Sequence, residues 1–372
     1  VRGDFVRLVR ELRAALDAVD PSLQLTFDLP PSVTGYPLKR LIGPSAADAV
    51  VLMGYEYRTP SSRIAGSVAP LRDREGLDVR DSVERTLARV PAERVILALP
   101  WYGRAWSTRG DENGAKTRKS ERYIDAATAV YRSAVARAAV AGRRYDRRQA
   151  SAWSVYRSRA DATSPVSWRQ LWYDDVDSVR SKVGFARRKG LRGIGIWALG
   201  YEGGRPELWS ALRYAIERPS DDQPPLGQAS VAAESVIGEL RIGEQDGVPV
   251  VGEVVKIDLS AADGSEGSGV AFVRLATSGR LAEDGALRTG TTFPAVDAVR
   301  ISLPDADPVD EVFVPGGGES AVSTSAGPTD ASWTLEPVIV RVQWRDVAGN
   351  WSEPLELQAA YRQMRSEAAG PT

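Results

Sequence analysis

The chain has 372 residues, with 48 Lys and Arg against 49 Asp and Glu, a formal net charge of −1 and 43% hydrophobic residues. That length suits about two domains with real cores, and the balanced charge gives no support to a nucleic-acid-binding protein. With neither Cys nor His, disulfides, thiolate metal sites, cysteine nucleophiles and imidazole acid–base chemistry are excluded, so proton transfer falls to Asp, Glu, Tyr, Lys or Arg and no cofactor or metal is expected.

Residues 4–19 place Phe5, Leu8, Val9, Leu12, Leu16 and Val19 at helical spacing, with Asp4 as N-cap and Pro21 as stop. Strands are predicted over 24–30, 49–57, 94–100 and 193–199. Helices are predicted over 77–90, 176–190 (closed by Gly190) and 206–217. Strands alternating with amphipathic helices mean βα units and a parallel sheet. Four strands are half of those in a closed (β/α)8 barrel. Residues 1–218 therefore read as an α/β fold, either an open sheet or part of a TIM barrel. The start at Val1, without Met or a signal peptide, favours the interior of a longer protein whose leader or anchor lies upstream. No apolar run is long enough to span a bilayer.

An insertion over about 107–170 is predicted to carry a helix at 123–142 and two strands, SAWSVYR and VSWRQLWYD, and to wall a cleft. Residues 219–231 read as a mobile linker rich in Pro, Asp and Ser. From 232 to 360 the pattern changes to short strands between Gly, Asp and Ser turns, without helical period. This predicts an all-β sandwich, with 361–372 as a tail. Trp333, Trp344 and Trp351 are candidates there for a sugar platform or for the sandwich core.

The strand ends of the first domain carry the chemistry. They read Met53-Gly-Tyr55-Glu56-Tyr57-Arg58, then Pro100-Trp101-Tyr102-Gly-Arg104-Ala-Trp106, then Leu171-Trp-Tyr-Asp174-Asp175, and finally Trp197-Ala-Leu-Gly-Tyr201-Glu202. In a parallel barrel such ends open onto one face, where active sites sit. Aromatic rings beside Arg and carboxylates suit a sugar, whose C–H face lies on a ring while its hydroxyls take polar partners. The plain alternative is that these aromatics fill the core. Asp174-Asp175, at the mouth of a helix, reads as N-capping and a favourable dipole contact. The runs Arg143-Arg144 with Arg147-Arg148, and Arg187-Arg188-Lys189, read as solvated faces, the second also at a helix C-terminus where cations are favoured, with binding of acidic wall polymers as the alternative.

The series MGYEYR, LPWYGRAW, LWYDDVDSVRSKVGFARRKGLRGIGIW resembles, in order and spacing over about residues 1–218, the second half of a family-18 glycoside hydrolase. That is the chitinase and cell-wall N-acetylglucosaminidase family, built on a (β/α)8 barrel. On this resemblance strands five to eight are present, and the chemistry is substrate-assisted hydrolysis of β-1,4-linked N-acetylglucosamine glycans in chitin or peptidoglycan. Tyr55 is implied to hold the substrate acetamide and Glu56 to bind the distorted sugar as the second catalytic residue. Met53, Trp101, Tyr102, Arg104 and Trp197 are implied to bind substrate, Trp197 as the floor under the reacting sugar. The chain departs from the family pattern at two places. Glu56 stands where the family has Asp, a shift of about 1.5 Å in carboxylate reach that is similar to the cell-wall-lytic branch. The Asp-x-x-Asp-x-Asp-x-Glu run that carries the proton donor is absent, since Asp305-Ala-Asp307-Pro-Val-Asp310-Glu311 has the wrong spacing and lies in the β region. The chain by itself is expected to be inactive.

The segment WRDVAGNWSEP (344–354) resembles the turn of bacterial immunoglobulin-like or fibronectin-like modules on secreted enzymes. Together the resemblances imply a secreted or envelope-bound monomer with a polysaccharide partner, no nucleic acid and no membrane span. A catalytically silent glycan-binding lectin on the same fold is the competing reading, and an envelope scaffold a third.

Overall fold

The computed structural model describes residues 2–161 and 163–217 and, beyond them, short stretches between 238 and 364. The first unit runs α1 (Arg2–Val19), β1 (Thr26–Leu29), α2 (Leu38–Leu41), β2 (Ala49–Met53), α3 (Val79–Leu87) and β3 (Val95–Pro100). It continues with β4 (Tyr102–Thr108), β5 (Ala127–Val130), α4 (Tyr131–Ala141), β6 (Arg144–Asp146), β7 (Ser151–Arg159) and β8 (Ser167–Tyr173). It ends with α5 (Val176–Arg188), β9 (Gly193–Trp197) and α6 (Glu207–Glu217).

Strands β1, β2, β3 and β9 form one parallel sheet in that order, with Leu29 opposite Leu52, Met53 opposite Ala98 and Pro100 opposite Trp197. All four C-terminal ends therefore lie on one side. Val50, Leu52, Val95 and Leu97 are fully buried, as the continuous apolar runs require in a sheet covered on both faces. The edges differ. Trp197 is 54% and Leu199 72% exposed beside β9, while Leu8 and Val19 of α1 are 57% and 79% exposed. Both flanks of the parallel sheet thus leave large apolar side chains in solvent.

Several local expectations shift. Helix α1 begins at Arg2, so Asp4 lies in its first turn, where a carboxylate meets the positive end of the helix dipole, and does not cap it. The helix predicted over 123–142 starts only at Tyr131, because residues 127–130 pair as β5 with β4. The insertion is larger than its pattern suggested. Strands β4 to β8 form an antiparallel sheet that begins at Tyr102, two residues past the end of β3. Its closest approach is at Gly103, where a Cβ would stand 2.0 Å from the Trp172 carbonyl oxygen, so no other residue fits between β4 and β8 there. Trp153 and Trp172 stack within this layer at 5.3 Å.

Helix α5 begins as expected. Asp175 is the N-cap and accepts from the Ser178 N–H at 3.1 Å, while Gly190, at φ +66°, closes the far end. Asp174 does something else: it pairs with Lys182 inside the fold, and both side chains are essentially without solvent contact. Burial raises the Asp174 pKa and lowers that of Lys182, each opposed by the partner's charge.

Beyond residue 237 the described strands are β10 (Gly238–Glu239), β11 (Glu244–Gln245), β12 (Val248–Pro249), β13 (Val254–Leu259), β14 (Val270–Thr277), β15 (Thr291–Pro294), β16 (Ala298–Ser302), β17 (Val309–Asp310), β18 (Trp333–Asp346) and β19 (Leu355–Met364). Order β15-β14-β18-β19 is antiparallel throughout, as is β10-β13-β16, whereas β17 lies parallel to β7 of the insertion. Strand β19 runs to Met364, past the boundary at 360 that the sequence suggested. Trp344 is buried, and Trp351 lies under the Arg274 guanidinium at 3.9 Å. The linker over 219–231 and the side chain of Trp333 lie outside the described residues.

Arg143, expected on a solvated face, has a largely enclosed side chain, 9% exposed, that meets both regions. It binds Asp175 and Asp177 at 2.8 Å each, and Arg345 binds Asp177 at 2.7 Å. The two guanidiniums also lie over the Phe272 ring at 4.5 and 4.4 Å. No helix among the described residues is long and apolar enough to cross a membrane.

Removing one partner of a buried ion pair strands the other charge. Lys182→Ala is therefore expected to cost about 3–5 kcal/mol of unfolding free energy, against a much smaller loss for Lys182→Met combined with Asp174→Leu. Urea denaturation followed by tryptophan fluorescence measures both.

Candidate active site

The site is built where β2 and β3 end. Gly54 donates its N–H to the Ala98 carbonyl at 2.9 Å, and a Cβ at that position would meet the same oxygen at 2.9 Å and Leu97 Cδ1 at 2.8 Å. Glycine thus lets the chain leave β2 pressed against β3. Tyr55 follows, only 9% exposed. Glu56 turns the chain at φ +63°, in the left-handed region, which costs a non-glycine residue about 1–2 kcal/mol.

The Glu56 carboxylate is held from two sides. The Tyr102 hydroxyl donates to Oε1 at 2.7 Å, and Arg104 donates Nη2 to Oε1 at 3.0 Å and Nη1 to Oε2 at 3.1 Å. This is a bidentate fork, the strong geometry for a guanidinium and a carboxylate. Arg104 Nη1 also donates to the Arg58 carbonyl at 2.9 Å, and Trp106 Nε1 donates to the Thr59 carbonyl at 3.2 Å. Strand β4 therefore fixes both the carboxylate and the loop that carries it. Arg104 is almost wholly enclosed, while the Glu56 side chain keeps 40% of its surface open.

Tyr55 and Tyr102 meet edge to face at 6.1 Å, and Tyr201 meets Tyr102 at 6.4 Å. Burial raises the Tyr55 pKa, with the negative charges of Asp28 and Glu56 adding to it. Burial also raises that of Tyr102, helped by its hydrogen bond to Glu56. Both phenols stay protonated at neutral pH and can donate.

The structure gathers Tyr55, Glu56, Tyr102 and Arg104 into one group. Met53, half-buried, ends β2 beside them. Trp197 ends β9 next to β3, with a cis peptide bond to Ala198, and its carbonyl accepts from the Trp101 N–H at 2.8 Å. Trp101 itself departs from the sequence expectation. It is 2% exposed and packs edge-on against Trp209 of α6 at 4.6 Å, so it offers no open face to a ligand. Trp106, Trp172 and Tyr173 are likewise core. Asp28 was missed, although a carboxylate at the C-terminal end of a parallel strand is the signal that marks such positions.

A phenol is neutral when protonated, so a raised pKa means that the folded chain holds the proton more tightly than the unfolded one. That stabilisation is full below the unfolded phenol value, about pH 10, and is lost as pH rises through the folded values. Unfolding free energy is expected to fall steadily above about pH 10, and Tyr102→Phe to flatten the slope, as read from denaturant midpoints across a pH series.

The model of the Glycosyl hydrolases family 18 matches residues 2–202, more than half of the chain. The chain is 31% identical over 115 residues to the class V chitinase CHIT5 of Lotus japonicus, covering 30% of this chain and 26% of that relative. It is 27% identical over 165 residues to the cortical fragment-lytic enzyme of Bacillus subtilis (strain 168), covering 44% and 34%. Among solved structures it is similar to a chitinase from Chromobacterium violaceum ATCC 12472, at 24% identity and a TM-score of 0.46, covering 58% of this chain and 62% of that one. The chain spans between 26% and 43% of the length of the curated relatives it matches.

Proposed function

Because this chain belongs to glycosyl hydrolase family 18, we propose that it carries the Tyr55–Glu56 part of a glycosidase site that cuts β-1,4-linked N-acetylglucosamine glycans, in chitin or peptidoglycan. The observation that carries the proposal is the Glu56 carboxylate, clamped by Tyr102 and Arg104 yet open on one side, next to the protonated Tyr55 hydroxyl.

In the proposed reaction the substrate's own 2-acetamide oxygen attacks the anomeric carbon as the glycosidic C–O bond breaks. The leaving oxygen takes a proton from a general acid, and water then opens the oxazolinium with retention. This is one of the exceptions to two-carboxylate glycosidase chemistry. Tyr55 donates a hydrogen bond that orients the acetamide. Glu56 stabilises the positive charge that develops on the ring and acetamide. Arg104 acts on substrate through Glu56, as a positioning residue. Met53 and the exposed Trp197 supply apolar contact for the sugar, Trp197 as its floor. The Asp-x-x-Asp-x-Asp-x-Glu run that bears the general acid in this family is not among the 372 residues, so this chain by itself is proposed not to hydrolyse glycan.

The apolar side chains left exposed on both flanks of the parallel sheet are what a closed eight-stranded barrel would cover, which supports assigning β1, β2, β3 and β9 to its last four positions. The antiparallel order of the distal sheets supports an immunoglobulin-like sandwich appended to it. Glycans of this class lie outside the cytoplasm, so the site of action is proposed to be secreted or at the envelope, with the protein working as a monomer.

The test uses the longest form of the protein that hydrolyses chitin oligomers or peptidoglycan. Tyr55→Phe is expected to lower kcat about 10- to 100-fold with KM little changed, because the hydroxyl acts chiefly in the transition state. Trp197→Ala is expected to raise KM and lower kcat together. A thiazoline mimic of the oxazolinium should inhibit competitively. Full activity of Tyr55→Phe, or indifference to the thiazoline, removes the substrate-assisted mechanism, and glycan binding without any hydrolysis supports the lectin reading instead.

A further inference from the structure

Helix α4 starts without a side-chain cap: Val130 precedes it in extended backbone and offers the first turn no acceptor. The leading N–H groups, which a helix cannot satisfy internally, go to two strand exits instead. Tyr131 donates its N–H to the Trp101 carbonyl at 2.9 Å, and Arg132 donates to the Tyr201 carbonyl at 3.2 Å. Trp101 in turn donates its own N–H to the Trp197 carbonyl at 2.8 Å. One helical turn of the insertion therefore holds both the link from β3 to β4 and the loop that leaves β9.

The contact is close, and α6 braces it. A Cβ at Gly203, in the loop after β9, would stand 2.9 Å from Arg132 Cβ and 2.6 Å from its Cδ. Gly203 also has φ +63°, so both space and backbone call for glycine there. The Tyr131 side chain is 2% exposed, and its hydroxyl donates to Glu207 Oε1 at 3.0 Å. Glu207 lies in the first turn of α6, itself buried, and accepts from Arg205 Nε at 2.5 Å as well. Burial, then the Glu207 charge, raises the Tyr131 pKa, so the phenol stays protonated and donates. The same helix backs Trp101 through Trp209.

We propose that Tyr131, braced by Glu207, is a positioning residue: through the first turn of α4 and the Trp101 backbone it sets the place of Trp197 under the sugar. The inference rests on the reading of Trp197 as the sugar floor. Trp197 is 54% exposed, so packing leaves its ring half free and the backbone anchor carries the placement. A misplacement of about 1 Å, caused far from the reacting atoms, is enough to cost up to about 100-fold. The Tyr131 hydroxyl matters here because it ties the start of α4 to α6. Without it, Glu207 loses one donor, and the turn that holds Trp101 and Tyr201 loses its brace.

The test measures KM and kcat in the longest form of the protein that hydrolyses chitin oligomers or peptidoglycan. Tyr131→Phe removes the hydroxyl and keeps the N–H. It is expected to raise KM about fivefold and lower kcat about twofold, the direction of Trp197→Ala and unlike Tyr55→Phe, which spares KM. Glu207→Leu is expected to match it. Glu207→Gln, whose amide oxygen still accepts, should keep KM within about twofold of the parent, and Tyr131→Phe with Glu207→Leu should be no worse than either alone. Val6→Ala, which opens a cavity in α1, controls for general loosening and should leave KM unchanged. Should Tyr131→Phe lose its cooperative melting transition, Gly203→Ala, at an exposed turn, pushes the same loop off α4 and carries the same expected rise in KM. An unchanged KM in these variants while Trp197→Ala raises it overturns this inference alone. An unchanged KM in Trp197→Ala removes the floor reading and this inference with it. An equal rise in KM in Val6→Ala at equal loss of melting temperature also overturns the proposal.

Discussion

The arrangement of the first unit depends on one guanidinium. Arg104 grips both oxygens of Glu56 and the carbonyl of Arg58, so a side chain of the antiparallel insertion holds the exit loop of a parallel strand. Parallel strands alone deliver their ends to a common side but leave the loops beyond them undefined. Here β4 supplies the definition. It can do so because β3 passes into β4 almost without a turn, and because Gly54 and Gly103 allow backbones to approach where any Cβ would collide. The carboxylate is thereby set before any ligand arrives, which lowers the reorganisation that a reaction would otherwise require.

Much of this was legible in the chain. The alternation of apolar strands with amphipathic helices identified all four parallel strands and helices α1, α3, α5 and α6, though not the short α2 between β1 and β2, because burial on both faces leaves an unbroken apolar run while one helical turn leaves no period. The pairing of Asp175 with the start of α5 and of Gly190 with its end followed from cap chemistry. The failures have a common cause. Tyr131 to Ala141 is helical, but the Ala-rich stretch before it was drawn into the same pattern, since helical propensity does not register that residues 127–130 have a strand partner in β4. Trp101 looked like a sugar platform because residue type and order cannot tell which aromatic meets α6 and which meets solvent. Arg104, expected at the substrate, also grips a side chain 48 residues away, a pairing that residue order does not show.

The arginines make the same point at the junction. A basic doublet on a surface strand usually means solvent, but Arg143 sits between Asp175, Asp177 and the ring of Phe272. Arg345, from β18, arrives at the same carboxylate and the same ring. One aromatic flanked by two guanidiniums, with two carboxylates neutralising them, joins segments 168 residues apart in the chain. Desolvation offsets most of the attraction in buried charge of this kind, so the cluster is weak evidence of net stability.

The backbone at Glu56 has a consequence for how this chain can drift. A left-handed conformation is easy for Gly, Asn and Asp and awkward for a longer side chain, yet the clamp of Tyr102 and Arg104 is fitted to the reach of Glu. Selection for robustness alone would therefore pull position 56 toward shorter residues, and selection for the clamp would pull it back. In a library sorted only for folding, Gly or Asn at 56 would relieve the backbone but leave the enclosed Arg104 guanidinium without its carboxylate, so survivors should divide between Glu and shorter residues.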